Sequence, residues 1–128
     1  MFEPRSRILS VGSYGCNLSC PFCQNYEISM CAADAETVCL SPEELAGKAA
    51  ELKEKGNIGV AFTYNEPMIG YEYVRDTARI VRAAGMKNVV VTNGNICSNY
   101  FEALFPLIDA MNIDLKAFNE SFYEAVSR

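Results

Sequence analysis

Short apolar segments alternate with amphipathic ones along the whole chain, and this alternation constrains the fold more than any other feature. Apolar strands are predicted at about residues 7–12, 58–63, 89–91 and 111–115. Helices are predicted at about 42–55, 70–84, 99–108 with an interruption near Pro106, and from 119 onward. Strands separated by helices imply parallel pairing with right-handed crossovers. The sequence therefore predicts an α/β fold of about four parallel βα units, in one domain spanning 1–128.

The first long helix carries signals at both of its ends. Ser41 is the predicted N-cap, Pro42 occupies the first helical position and Glu44 completes a capping box. Gly56 is predicted to end the helix as a left-handed cap. These signals place a helix immediately before the second strand.

Polar segments follow the first three predicted strands, and another ends the fourth. They are Tyr14-Gly15-Cys16, Thr63-Tyr64-Asn65-Glu66-Pro67, Thr92-Asn93-Gly94-Asn95 and Asp114-Leu115-Lys116. In parallel sheets of this kind, ligands bind at the carboxyl ends of the strands. The sequence therefore predicts a site at that edge of the sheet.

Three cysteines, Cys16, Cys20 and Cys23, lie in this region with the spacing C-x3-C-x2-C. Soft thiolates are the ligands of iron–sulfur clusters, and three of them leave the fourth iron of a four-iron cluster open to a small molecule. Zinc and disulfides are the alternatives, although zinc would need a fourth ligand in a chain without histidine. The other cysteines, Cys31, Cys39 and Cys97, are interpreted as small buried or loop thiols.

Composition disfavours two classes of partner. The net charge is −5 without a Lys/Arg block, which disfavours nucleic acid, and no apolar run approaches the ~20 residues of a membrane span. The opening residues lack the apolar segment of a signal peptide. A cytoplasmic protein with reduced thiols is therefore expected.

With Phe22 as the aromatic residue, the cysteine run reads C-x3-C-x-aromatic-C and resembles the signature of radical S-adenosylmethionine enzymes. Longer strings at 15–29, 63–67, 91–94 and 112–118 resemble the pyruvate formate-lyase activating enzyme-related branch, and within it the group linked to AMMECR and Memo proteins. The resemblance covers residues 8–126. It implies a partial TIM barrel, and since four βα units are too few for one, we expect a core domain truncated at its C-terminus.

The resemblance also implies cofactors and chemistry. Cys16, Cys20 and Cys23 would hold a 4Fe–4S cluster whose open iron binds S-adenosylmethionine. One electron would then yield methionine and a 5′-deoxyadenosyl radical that abstracts hydrogen from a substrate. The implied partners are a glycyl-radical enzyme or another protein substrate, and an electron donor such as flavodoxin or ferredoxin.

Candidate cofactor-binding residues follow from the same strings: Phe22, Asn65, Glu66, Thr92, Asn93, Asp114 and Lys116. Tyr64 and Asn65 replace the glycines of the family's Gly-Gly-Glu-Pro. The Asn65 side-chain carbonyl is expected to substitute for backbone, and Glu66 to face the methionyl ammonium. The alternative is that Glu66 only caps the following helix.

For Asp114 and Lys116, which share a predicted strand face, the alternative to cofactor binding is a structural ion pair. The family often has an aspartate where this chain has Val91, which weakens the case for a monovalent-cation site. Thr92 and Asn93, with Gly94, are expected to form the floor under the cofactor or only a tight turn. The run 24–26 is expected either to touch adenine or substrate, or to face solvent.

Three functions stay open at this stage. The first is activation of a glycyl-radical enzyme by hydrogen abstraction from a glycine Cα. The second is the same cleavage chemistry on an unknown substrate. The third is a non-catalytic zinc or iron–sulfur module.

Overall fold

One parallel sheet organises the computed structural model, which describes residues 2–30 and 36–126. Its strands are β1 (Arg7–Val11), β2 (Asn57–Phe62), β3 (Lys87–Thr92) and β4 (Ala110–Ile113), in that spatial order. Every neighbouring pair is parallel. Because each crossover moves one strand in the same direction, the sheet winds as a segment of a βα barrel does. The predicted α/β partial-barrel fold is confirmed.

Within the described residues, the helices that connect or follow these strands are α1 (Tyr26–Ser29), α2 (Pro42–Glu51), α3 (Tyr71–Ala83), α4 (Ser98–Leu104) and α5 (Glu120–Val126). Short 3-10 turns lie at Lys53–Lys55, Pro67–Gly70 and Phe105–Leu107. In the described part of the chain, no helix is both long and apolar enough to cross a bilayer.

The predicted start of α2 is confirmed, but its end differs. Ser41 Oγ accepts a hydrogen bond from Glu44 N at 3.2 Å, and Ser41 N donates to Glu44 Oε2 at 2.7 Å. The α-helix ends at Glu51, and the chain tightens into the 3-10 turn before Gly56 adopts φ 85°. Tightening satisfies the last free carbonyls, so the left-handed glycine caps the 3-10 turn and not the α-helix.

Two other features differ from the sequence prediction. The last strand ends at Ile113, so Asp114 and Lys116 lie in the loop after it. The long cysteine loop contains the short helix α1. The predicted interruption of the third helix near Pro106 is confirmed: α4 ends at Leu104 and a 3-10 turn follows, because proline lacks the N–H that would continue an α-helix. Cys31 lies outside the described residues.

The core lies between one face of the sheet and helices α2 and α3. Val60, Phe62 and Val90 from the sheet pack with Leu45 and Val81 from the helices, and all five are almost fully buried. A second, smaller cluster lies at the cysteine loop, with Leu18, Cys20 and Val126 buried. The main core fixes the sheet, and the smaller cluster fixes the loop at its carboxyl edge.

Candidate functional site

A cavity of about 340 Å³ lies at the carboxyl edge of the sheet. The loops after all four strands contribute to its wall, as the predicted topology requires. All ten residues predicted from the sequence line it: Cys16, Cys20, Phe22, Cys23, Asn65, Glu66, Thr92, Asn93, Asp114 and Lys116. Gln24 and Asn25 also face this cavity, whereas the Tyr26 side chain is exposed.

The three cysteines of the motif are free thiols on one wall of the cavity. The turn between two of them is closed by a hydrogen bond from Cys23 N to Cys20 O at 3.1 Å. Burial raises the pKa of the Cys20 thiol, Lys116 lowers it, and the neighbouring Cys16 and Cys23 raise it again. A bound cation would offset the negative charge that a Cys20 thiolate meets from its neighbours, and its binding would release the thiol proton.

The number and spacing of the thiol donors bear on whether a zinc ion or an iron–sulfur cluster could bind here. Among residues 2–30 and 36–126, no three cysteine or carboxylate side chains converge closely enough to hold a single metal ion. A zinc ion would need all its sulfurs at about 2.3 Å. In a four-iron cluster each thiolate binds a different iron, so the sulfurs stand farther apart. Three thiols around one cavity match the ligand number of a cluster with one open iron, whereas a structural zinc site would need a fourth ligand.

Glu66 ties two of the strand loops together beneath the cavity. Its side chain is 2% exposed, and its Oε1 accepts hydrogen bonds from Met68 N at 2.9 Å and Thr92 Oγ1 at 2.7 Å. Its Oε2 accepts one from Asn93 N at 2.7 Å. Glu66 therefore caps the 3-10 turn after β2, as the alternative interpretation predicted, and also presents a buried carboxylate to the cavity.

The Asn65 amide does not replace a backbone carbonyl towards the cavity. Its Oδ1 accepts from Ser13 N at 3.0 Å, and its Nδ2 donates to Ser13 Oγ at 2.8 Å and Gly15 O at 3.0 Å. The side chain thus joins the loops after β1 and β2. Tyr64 adopts φ 75°, the left-handed conformation that favours glycine, so this loop keeps the glycine backbone shape without the glycine.

The loop after β3 holds the cysteine loop through amide side chains. Asn93 Nδ2 donates to Asn17 Oδ1 at 2.8 Å and lies 3.8 Å from Cys16 Sγ. Asn17 Nδ2 in turn donates to Asn95 O at 2.7 Å. Asn17 was not among the site residues predicted from the sequence. Its position directly after Cys16 in the cysteine run could have indicated a role there.

Asp114 and Lys116 form the ion pair that the alternative interpretation predicted, with 3.1 Å between Oδ2 and Nζ. Their side chains are 46% and 26% exposed, so the pair is partly screened by solvent. Asn112 Nδ2 donates to Asp114 Oδ1 at 2.7 Å, and Asp114 N donates to Thr92 O at 2.8 Å. Because β4 has already ended, these contacts and not a shared strand face hold the pair at the cavity.

Helix α5 packs directly on the cysteine loop. Ser19 donates to Val126 O from both its N–H, at 2.7 Å, and its hydroxyl, at 3.0 Å. The Phe22 and Phe122 rings stack with centroids 5.7 Å apart. The last described helix therefore helps to position the three thiols.

This arrangement, a βα-barrel segment with three thiols at the carboxyl edge of its sheet, defines a class of protein. The sequence model of the Radical SAM superfamily matches residues 10–128, and the chain belongs to that superfamily. Reductive cleavage of S-adenosylmethionine with a 4Fe–4S cluster is the chemistry of that superfamily.

Two curated relatives extend the comparison. An uncharacterized protein of Methanocaldococcus jannaschii is 38% identical over 128 residues, which are 99% of this chain and 37% of the relative. A pyruvate formate-lyase-activating enzyme of Clostridium pasteurianum is 26% identical over 116 residues, which are 88% of this chain and 47% of the relative. The chain spans less than half the length of either relative.

Proposed function

We propose that residues 1–128 form one cluster-binding core domain of a radical SAM enzyme, with Cys16, Cys20 and Cys23 as the ligands of its 4Fe–4S cluster. One observation carries the proposal: residues from four separate strand loops, all selected from sequence, line a single cavity. Parallel topology alone brings the loops to one edge, but it does not require their thiol, amide and carboxylate side chains to line the same cavity.

The side chains around the cavity suit S-adenosylmethionine, which carries an ammonium, a sulfonium and a carboxylate. The carboxylates of Glu66 and Asp114 offer negative charge to the cationic groups, and the Lys116 ammonium offers positive charge to the carboxylate. Leu18 and Val91 add apolar wall, which reduces the access of water. When bound, the cluster and S-adenosylmethionine supply reductive cleavage and hydrogen abstraction.

For the substrate, we propose a glycine in a partner glycyl-radical enzyme or another protein, reduced flavodoxin or ferredoxin being the electron donor in the cytoplasm. The support is the 26% identity to a pyruvate formate-lyase-activating enzyme. The second candidate is the same chemistry on a different substrate. The resemblance of the strings at 15–29, 63–67, 91–94 and 112–118 to the AMMECR- and Memo-linked group supports this candidate.

Anaerobic reconstitution with iron and sulfide tests the cofactor assignment. Electron paramagnetic resonance of the reduced protein should give a cluster signal that changes when S-adenosylmethionine is added, because the cofactor binds the open iron. Stoichiometric zinc without labile sulfide would contradict the proposal. A full cluster whose signal does not respond to the cofactor would show that this chain alone does not bind it.

A separate assay distinguishes the two substrates. The reconstituted chain is incubated with a candidate glycyl-radical enzyme, reductant and S-adenosylmethionine, and the partner is examined for a glycyl radical. The appearance of a glycyl radical in the partner supports the proposal that the chain activates a glycyl-radical enzyme. Cofactor cleavage coupled only to modification of small molecules would refute it and favour the second candidate.

A further inference from the structure

The cavity wall holds a polar side chain that the cysteine motif does not include. Ser29, the last residue of α1, is 3% exposed, and its Oγ lies 3.1 Å from Cys23 Sγ. A buried hydroxyl needs a hydrogen-bond partner to offset the loss of water. When Cys23 is a thiolate it has no proton to give, so the serine hydroxyl must be the donor.

Other contacts hold Ser29 in this place before any cluster binds. Ser29 N donates to Asn25 O at 3.0 Å within α1, and Gly15 N donates to Ile28 O at 2.8 Å. The Asn25 side chain donates to Tyr64 O at 2.7 Å. Helix α1 is thus tied to the loops after β1 and β2, and the hydroxyl needs little reorganisation to reach the thiolate.

Cys16 receives donors in a similar way. Leu18 N lies 3.4 Å and Asn93 Nδ2 lies 3.8 Å from Cys16 Sγ. Hydrogen bonds to cluster sulfurs are among the factors that set reduction potential. Reduction adds negative charge to the cluster, so a donor stabilises the reduced state and raises the potential.

We propose that Ser29 is a positioning residue whose hydroxyl donates to the Cys23 thiolate and raises the reduction potential of the cluster. The proposal rests on the proposed function, because it requires Cys23 to be an iron ligand. It goes further by assigning a residue outside the C-x3-C-x2-C motif to control of the electron-transfer step.

Ser29→Thr and Ser29→Val form the matched pair for the test. The two side chains have nearly the same shape, and only threonine keeps the hydroxyl. Each variant is reconstituted, its iron and sulfide are measured, and its midpoint potential is determined by redox titration followed by electron paramagnetic resonance. The Val variant should be reduced less readily than the Thr variant by about tenfold in equilibrium constant, which is about 59 mV for one electron.

Ser6→Ala is the control, since its exposed hydroxyl donates to Glu3 O at 2.6 Å and Ser6 is not among the residues that line the cavity. Its potential should equal that of the unsubstituted protein. Equal potentials for the Thr and Val variants would overturn the inference. So would loss of the cluster from the Thr variant, or a Ser6→Ala shift as large as that of the Val variant. If the unsubstituted protein assembles no cluster, the proposed function itself fails, which is a distinct outcome.

Discussion

Single side chains at this edge of the sheet serve the fold and the cavity together, and Glu66 is the clearest example. Replacing Glu66 by Ala would leave three donors without their acceptor, at Met68, Thr92 and Asn93. Unsatisfied buried groups cost about 1–3 kcal/mol each, and partial relaxation makes a total loss of about 3 kcal/mol the expected result. Urea unfolding of the cluster-free protein measures it.

Glu66→Gln and Glu102→Ala are the comparisons for that measurement. Gln keeps one carbonyl acceptor and should lose less stability than Ala. Glu102 is exposed on α4, so its replacement should change the free energy of unfolding by less than about 0.5 kcal/mol. A Glu66→Ala protein as stable as Glu102→Ala would show that the three hydrogen bonds contribute nothing.

The six cysteines divide into three predicted cluster ligands and three that are predicted not to bind the cluster. Cys16→Ala, Cys20→Ala and Cys23→Ala should each abolish the intact cluster, because each removes an iron ligand. Cys31→Ala, Cys39→Ala and Cys97→Ala should retain it. Iron and labile sulfide per chain, together with the visible absorption of the reconstituted protein, measure the result. Loss of the cluster from Cys97→Ala would show that the ligands are misassigned.

Tyr64 adopts a left-handed backbone conformation, which is unfavourable for any residue that carries a side chain. With φ at 75°, a β-branched residue there would be the most strained. Tyr64→Val should therefore be less stable than Tyr64→Gly by about 1 kcal/mol or more. Thermal unfolding of the two variants tests this, and equal stability would mean that the loop relaxes to a different conformation.

At the scale of elements, α5 and the cysteine loop depend on each other. Val126→Ala removes apolar volume from the buried cluster that contains Leu18 and Cys20, and should destabilise this region by about 1–2 kcal/mol. Hydrogen exchange of the Ser19 amide, which donates to Val126 O, should accelerate. The control, Glu124→Ala on the exposed side of α5, should leave that exchange unchanged. Equal exchange rates of the Ser19 amide in both variants would show that the packing of α5 does not stabilise the cysteine loop.

The elements themselves were largely predictable from the sequence. The capping box at Ser41 and Glu44 and the apolar runs of β2 and β3 are local patterns, and the structure confirms them. Helix α1 was missed because four residues are too short for a periodic pattern. The end of α2 was misplaced because a 3-10 turn and an α-helix share the same glycine signal.

The site was predictable to the level of loops but not of contacts. Parallel topology places the four loops at one edge, so their convergence follows from the order of elements. The partners of Asn65 and the roles of Asn17 and Ser29 depend on how loops distant in sequence meet. No spacing rule in the sequence encodes such tertiary contacts. The hydrogen bonds of the Asn65 amide with Ser13 and Gly15 were therefore not predicted.

At the scale of the whole molecule, the sheet leaves one side of its last strand open. The order β1-β2-β3-β4 makes β4 an edge strand in the described part of the chain. Ile113, Leu115 and Phe118 near this edge are exposed, and the Phe118 side chain is 97% exposed. An unpaired edge beside apolar side chains favours association with another chain.

This chain is therefore expected to self-associate at high concentration through the β4 edge. A charged side chain on the exposed surface opposes association without disturbing the core, so Phe118→Lys should shift the sedimentation profile towards monomer. Val38, also apolar and 81% exposed, provides the matched control. Val38→Lys adds the same charge at a site outside this edge and should leave association unchanged. Equal loss of association in both variants would attribute the effect to net charge, and no loss in Phe118→Lys would exclude Phe118 from the contact.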